Sequence, residues 1–312
     1  MKYTSKATSP TPEQRLNIQS RLLAATHAFF RERNVREVIT PCLVSSAHSE
    51  PDIVSFDVDA KQQLRNSPEY EMKRLLMTAQ TDIYQIAPVF RKGEYGNQHR
   101  PEFVMLEWYR LGWNYHRLME ECLSYLRAMI ANRMMKIYPL SYKQLFQHSF
   151  DCDPFNCDTE VLLNAARDLG YQSSTQNRRE CLDFLFDTAS TRYSGGEHPN
   201  TLIAVYDFPI EQSSYACISP RQVAERFEIF LNGIELANGY SELTQVEDYH
   251  RRIQLHNRTR QTELSTPISI DEDFMQTLEK NGMRECAGVS VGMQRLLMCI
   301  AQVSNIAQIS LL

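Results

Sequence analysis

Glycine is scarce in this chain, 11 of 312 residues, roughly half the ~7% usual in proteins. The shortage excludes collagen-like repeats, glycine-rich linkers and low-complexity disorder. No glycine run reads G-x-G-x-x-G or G-x-x-x-x-G-K-[ST], so neither the Rossmann nor the P-loop phosphate cradle is present. The eight cysteines form no C-x-x-C and no histidine pair reads H-E-x-x-H, which argues against structural zinc. No apolar run reaches the ~18 residues of a membrane span. Met1–Thr11 is polar and lacks the apolar core of a signal peptide, so a cytoplasmic, reduced setting is expected. The net charge of −5 offers no broad basic face to nucleic acid. Arg178-Arg179, Arg251-Arg252, Arg258 and Arg260 read as solvated helix faces, with Asp248 four residues ahead of Arg252 as an i,i+4 partner.

Local signals then set the elements. Thr11-Pro12-Glu13 is a helix start, a capping hydroxyl followed by proline where its missing N–H is harmless, and Leu16, Leu22, Leu23, Phe29 and Phe30 recur on one side of that helix. Val35–Thr40 reads as a short strand ending at Pro41. Asp82–Phe90 and Phe103–Leu111 are strand-length apolar runs joined by the polar loop Arg91–Glu102, a long-looped hairpin. Asn114–Ile137 reads as one long helix, followed by helical segments to about Ser190 and a strand at Thr201–Phe208. Asn232-Gly233 between Arg226–Leu231 and Ile234–Ala237 is the strongest hairpin signal, because it supplies two φ > 0 positions. Helices are expected over Gln245–Leu264 and Asp271–Asn281, then a strand over Cys286–Val291 running through Gly292 into the helix Met293–Gln302. Hairpins alternating with helix groups indicate an α+β fold on an antiparallel sheet.

Three polar clusters interrupt the apolar strands. The first holds Phe90-Arg91, Glu94, His99 and Glu102, with Glu107 and Tyr109 sharing one face of the return strand. The second holds Glu228, Glu235, Asn238 and Glu242 around the Asn-Gly hairpin, where carboxylates could hold Mg²⁺. The third is Gly288–Arg295. Each alone reads as solvent-facing cross-strand pairing. Together, arginines from separate segments, several acids and glycines at the approaches make an inventory for a metal-bound polyphosphate.

These residues resemble a class II aminoacyl-tRNA synthetase catalytic domain. Val38–Pro41 is similar to the end of motif 1, Phe90-Arg91 through His99–Phe103 to motif 2, and Gly288–Arg295 to motif 3, in the right order and at the right distance. Phe103–Tyr109 and Gly233–Leu243 resemble the lysine-handling branch. Within it, Ser67–Leu75 and Met105–Arg110 are closest to the elongation factor P–(R)-β-lysine ligases, lysyl-tRNA synthetase paralogues without the anticodon-binding domain. The resemblance runs from about Arg15 to the end, so an anticodon module is not expected.

The resemblance implies a class II synthetase-like antiparallel sheet flanked by helices, with a flexible tail over residues 1–12, one catalytic domain over 13–312, and a homodimer through the motif 1 region. It implies ATP and Mg²⁺, a lysine-type amino acid activated as an adenylate, and elongation factor P as acceptor, with tRNA not expected as a partner. By motif position Arg91 would hold the α-phosphate and Arg295 the γ-phosphate as the catalytic pair. Phe103 would stack on adenine, His99 would lie near the phosphates, and Arg100, Glu235, Leu236 and Gly292 would complete the ATP site. Glu228 and Glu235 would hold Mg²⁺. Ser67, Pro68, Glu69, Glu107, Tyr109, Asn238 and Glu242 would line the amino-acid pocket, Glu69 neutralising one ammonium of a diamino acid and Glu107 with Glu242 the other. A positioned guanidinium stabilises the charge gathering on the α-phosphate, and holding both substrates together leaves no need for a side-chain nucleophile. Three positions depart from the family pattern: Gly93 stands where motif 2 keeps glutamate, with Glu94 one place late, Arg100 replaces asparagine and Gln294 replaces aspartate. A non-catalytic synthetase-like binding protein and a truncated synthetase charging tRNA are the alternative functions.

Overall fold

The computed structural model describes residues 9–47, 50–130, 134–172, 177–262 and 270–310. Helix α1 (Pro12–Glu32) begins where the proline signal places it, with Thr11 and Gln14 forming a reciprocal capping box. It buries Leu22, Phe29 and Phe30, while Leu16 stays exposed. The strand expected over Val35–Thr40 shortens to β1 (Arg36–Glu37). A small sheet of β2 (Leu43–Val44), β3 (Phe56–Asp57) and β4 (Gln63–Leu64) precedes α2 (Glu69–Ala79). The long-looped hairpin is β5 (Ile83–Phe90) and β6 (Glu102–Leu111), in register from Ile83↔Tyr109 to Phe90↔Glu102.

The single helix expected over Asn114–Ile137 divides. Helix α3 spans Tyr115–Met129, residues 131–133 lie outside the described residues, and Lys136–Ser141 forms strand β7. Pairing decides this against local propensity: β7 runs parallel to β8 (Thr201–Phe208), a partner a one-dimensional reading cannot see. Between them lie α4 (Tyr142–Phe150), α5 (Thr159–Asp168) and α6 (Arg178–Arg192). The Asn-Gly hairpin is β9 (Ala224–Leu231) and β10 (Ile234–Ser241), with Asn232 at φ 52° and Gly233 at φ 77°. Helices α7 (Val246–Thr262) and α8 (Glu272–Asn281), strand β11 (Cys286–Gly292) and helix α9 (Met293–Ala301) complete the order. The expected tail over 1–12 lies mostly outside the described residues, as do Glu263 and Leu264 of the expected Gln245–Leu264 helix.

The main sheet has eight strands in the order β1-β5-β6-β11-β10-β9-β8-β7. Its six central strands are antiparallel, as expected, but the outermost pairs β1·β5 and β7·β8 are parallel, so the sheet is mixed. Both faces are covered. One core holds Phe30, Trp108, Phe227 and Leu296, and the other holds Tyr70, Tyr109, Phe146 and Phe274. Successive residues of β6 therefore feed opposite cores: Leu106 and Trp108 serve one, Tyr109 the other. That rules out a solvent-facing reading for Glu107 and Tyr109, which are 3% and 2% exposed.

The basic runs also change meaning. Arg251, not Arg252, pairs with Asp248. Arg252 is buried and donates to the carbonyls of Ser214 and Ala216. Arg260, also buried, donates to the carbonyls of Pro51 (3.0 Å), Glu50 (3.2 Å) and Ile53. Two loops thus satisfy their backbone acceptors with guanidinium groups of α7, where water would otherwise be required.

Candidate active site

A cavity of ≈ 280 Å³ opens over β6, β10 and β11. It is lined by Ser67, Glu69, Arg91, His99, Arg100, Phe103, Glu107, Tyr109, Glu235, Leu236, Asn238, Gly292 and Arg295, so thirteen positions expected from sequence converge there. A strand normally sends neighbours to opposite faces. A register shift between Glu235 and Ala237 lets Glu235 and Asn238, three residues apart, both face the cavity, while the Leu236 side chain packs in the core of the opposite face.

At one end the side chains suit phosphate. Arg91 follows β5 directly, donates from Nε to the Asn66 carbonyl at 3.3 Å, and has Cζ 5.2 Å from the Phe103 ring centroid. Arg295, in the first turn of α9, donates from Nη1 to Glu235 Oε2 at 3.0 Å and from Nε to the Gln98 carbonyl at 3.4 Å. Its Nη2 lies 2.6 Å from His99 Nε2. Burial, reinforced by the Arg295 charge, lowers the His99 pKa, so the neutral ring accepts at Nε2 and holds the guanidinium in place.

The three departures from the family pattern find structural roles. Gly93 sits at φ +86°, with nothing within 4 Å of a Cβ placed there. The left-handed turn carries Glu94 into the cavity wall, 3.6 Å from Arg91 Nη1. Arg100 ties the motif 2 loop by donating to the carbonyls of Gly96 (2.9 Å) and His99 (3.0 Å). Gln294 Oε1 accepts the Val104 backbone N–H at 2.8 Å, clipping α9 to β6.

The other end is acidic and buried. Glu107 accepts from Ser67 Oγ at 2.9 Å and from the Tyr109 hydroxyl at 2.5 Å. Glu69 accepts from the Tyr240 hydroxyl at 2.9 Å. Lys73, which sequence reading did not single out, is fully buried with Nζ 2.5 Å from Glu69 Oε1, 2.5 Å from Glu242 Oε2 and 3.1 Å from the Tyr249 hydroxyl. Burial opposes its charge, but Glu242 and Glu69 outweigh that and raise its pKa above the ordinary lysine value. Lys73 thus already pairs with Glu69 and Glu242, two of the three acids, with Glu107, that the resemblance assigns to the substrate ammonium groups. Its signal was available, since Lys73 stands four residues after Glu69 on α2.

Pro68 and Glu242 do not line the cavity. Glu242 lies behind Gly288, where an added Cβ would come within 2.2 Å of Glu242 Oε1 and 2.4 Å of Tyr109 Cε1. Glu228 lines an adjoining cavity of ≈ 220 Å³ with Glu235, Arg226 and Arg295. Arg226, also unforeseen, is 2.5 Å from Glu228 Oε1 and donates to Asn238 Oδ1 at 3.1 Å. Burial pushes the Glu228 carboxyl up, Arg226 pulls it down, and neighbouring Glu235 raises it further. Among the described residues no group of three or more His, Cys, Asp or Glu could hold a metal unaided. Two mutually repelling carboxylates facing one cavity nevertheless fit Mg²⁺, which takes its remaining ligands from phosphates and water. Arg65, another buried residue missed from sequence, ties Thr40-Pro41 to β5 by donating to the carbonyls of Thr40, Pro41 and Pro88, each at 3.0 Å.

An antiparallel sheet carrying one arginine after a hairpin strand and another at the start of the last helix defines a class II synthetase catalytic domain. The sequence family "tRNA synthetases class II (D, K and N)" matches residues 2–312. The chain belongs to that family, in the branch whose curated members are named elongation factor P–(R)-β-lysine ligase. It is 39% identical to the ligase of Haemophilus influenzae strain PittGG over 293 residues, covering 90% of this chain and 88% of that protein. Identity is 36% to the ligase of Haemophilus ducreyi over 308 residues (95% and 92% covered) and 35% to that of Proteus mirabilis over 305 (93% and 92%). The chain is thus an enzyme, an aminoacyl ligase of the class II synthetase type.

Proposed function

We propose that this ligase activates (R)-β-lysine, or lysine, with ATP and transfers the acyl group to a lysine side chain of elongation factor P. The supporting observation is one cavity that joins Arg91, His99 and Arg295 at one end to the buried acids Glu69 and Glu107 at the other. In this reading Phe103 stacks on adenine and Arg91 stabilises the charge on the α-phosphate as the amino-acid carboxylate attacks it and pyrophosphate leaves. Arg295, oriented by His99, holds the γ-phosphate. Ser67, Glu69, Glu107, Tyr109 and Asn238 orient the amino acid, and Glu242 acts behind them through Lys73 and Gly288. Glu228 and Glu235 would hold Mg²⁺, which would neutralise phosphate charge. The acceptor amine then attacks the adenylate carbonyl and AMP departs.

A neutral-side-chain homologue would leave a buried carboxylate without its cation, so discrimination against it should be strong. Pairing of two copies through Val38–Pro41 belongs to the same reading; Ile39 there is 93% exposed. The test is pyrophosphate–ATP exchange with lysine and with (R)-β-lysine, followed by acyl transfer to purified elongation factor P. Exchange dependent on a diamino acid is expected. Absence of exchange with either would overturn the reading, and transfer to tRNA in place of elongation factor P would replace it with the synthetase alternative.

A further inference from the structure

At the amino-acid end Glu69 and Glu107 face the cavity, as does Glu50 nearby. Glu242, by contrast, is sealed behind Gly288 with its side chain 1% exposed. A buried carboxylate that no ligand reaches needs a resident partner. Lys73 is placed to be that partner, 0% exposed and 2.5 Å from Glu242 and Glu69 alike. Its two contacts differ in consequence. The one to Glu242 cancels a charge the substrate cannot touch. The one to Glu69 fixes Oε1 inward, while Oε2 is held by the Tyr240 hydroxyl at 2.9 Å, so the carboxylate is locked at both oxygens.

We propose that Lys73 is a specificity-determining counter-ion of the amino-acid pocket, a positioning residue that sets how many negative charges an incoming amino acid meets. The resident ammonium cancels the charge that Glu242 would otherwise add behind Glu69 and Glu107. A substrate with two ammonium groups would meet those two acids, and one with a single ammonium would leave them partly unmatched. The Tyr109, Tyr240 and Tyr249 rings, centred 6.0, 5.7 and 5.6 Å from Nζ, enclose the ammonium and exclude water from the pair. The inference rests on the proposed function for the position of the amino acid.

The test compares Lys73→Met, which keeps the length of the side chain, with Lys73→Met/Glu242→Gln, which removes both members of the inner pair and restores the charge count. Pyrophosphate–ATP exchange is measured with lysine or (R)-β-lysine and with norleucine, which lacks the side-chain ammonium. Lys73→Met should raise the diamino-acid KM about 30-fold or more, as expected for a broken buried pair, and move the ATP KM less than about threefold. The double variant should recover about tenfold or more of that loss and keep its preference over norleucine. Equal KM values for the single and double variants would overturn the proposal, because space-filling would then be the whole role. Should Lys73→Met not fold, the double variant decides alone, and loss of its preference for the diamino acid would overturn the proposal. Absence of exchange in the unmodified enzyme would instead strike the proposed function, so the two failures are distinguishable.

Discussion

At the proposed phosphate end of the cavity the Arg91 and Arg295 side chains are 23% and 21% exposed, whereas at the proposed amino-acid end those of Lys73 and Glu242 are 0% and 1% exposed. In the proposed function the phosphate end is held by pairs, Arg91 with Glu94 and Arg295 with Glu235, that water screens and an incoming polyphosphate would displace. The amino-acid end is held from within: its carboxylates take hydroxyl donors and a resident lysine from the chain itself. On that reading one end would trade partners on binding while the other is preorganised, so damage to them should look different.

The largest effect is expected from Arg91→Ala and Arg295→Ala. Each should slow adenylate formation by about 10²–10³-fold, because each removes a donor aimed at phosphate charge. Thermal melting should hardly move, since both side chains are partly solvated. Near-normal exchange in either variant would remove its phosphate role. Next comes Glu107→Gln, at the buried end, expected to raise the amino-acid KM by about 10–100-fold with the ATP KM little changed. A proportional loss in both KM values would mean that the two ends are not separable.

Gly288→Ala tests the preorganised end through packing. Its Cβ would strike Glu242 and Tyr109, so unfolding in denaturant should show a loss of about 1–3 kcal/mol. An unchanged midpoint would show that the close approach is not needed. Glu71→Gln, on the far side of α2, should leave activity intact and alter only the pH profile of stability. Burial pushes the Glu71 carboxyl up to about 7 from 4.5. Between those values the folded chain keeps a proton that the unfolded chain has released, so this group lowers stability as pH rises through the window. Melting temperatures of the variant should fall less steeply from pH 4.5 to 7; an identical slope would show that Glu71 is not the group responsible.

Much of this was legible one residue at a time. The β9–β10 hairpin follows from Asn232-Gly233 because both residues must take positive φ. The facing of Glu107 and Tyr109 follows from strand alternation, and α1 begins where Thr11-Pro12 requires. Strand β7 was not legible, since its pairing with β8 depends on residues far along the chain. Nor were Arg252 and Arg260, which look like surface charges until loops from elsewhere present carbonyls to them. The i,i+4 spacing of Glu69 and Lys73 was visible, but an identical spacing on a solvated helix would be worth little.

The hairpins, the helix starts, the order of the three motifs and the residue types at the cavity can all be read along the chain, because each depends on local backbone geometry or on short spacing. Which charges face the cavity and which already pair with one another depends on how distant segments pack. The Glu69–Tyr240 bond joins residues 171 apart and the Lys73–Tyr249 bond residues 176 apart. Burial makes such a contact strong by removing water from around it, and no stretch of chain contains its own burial.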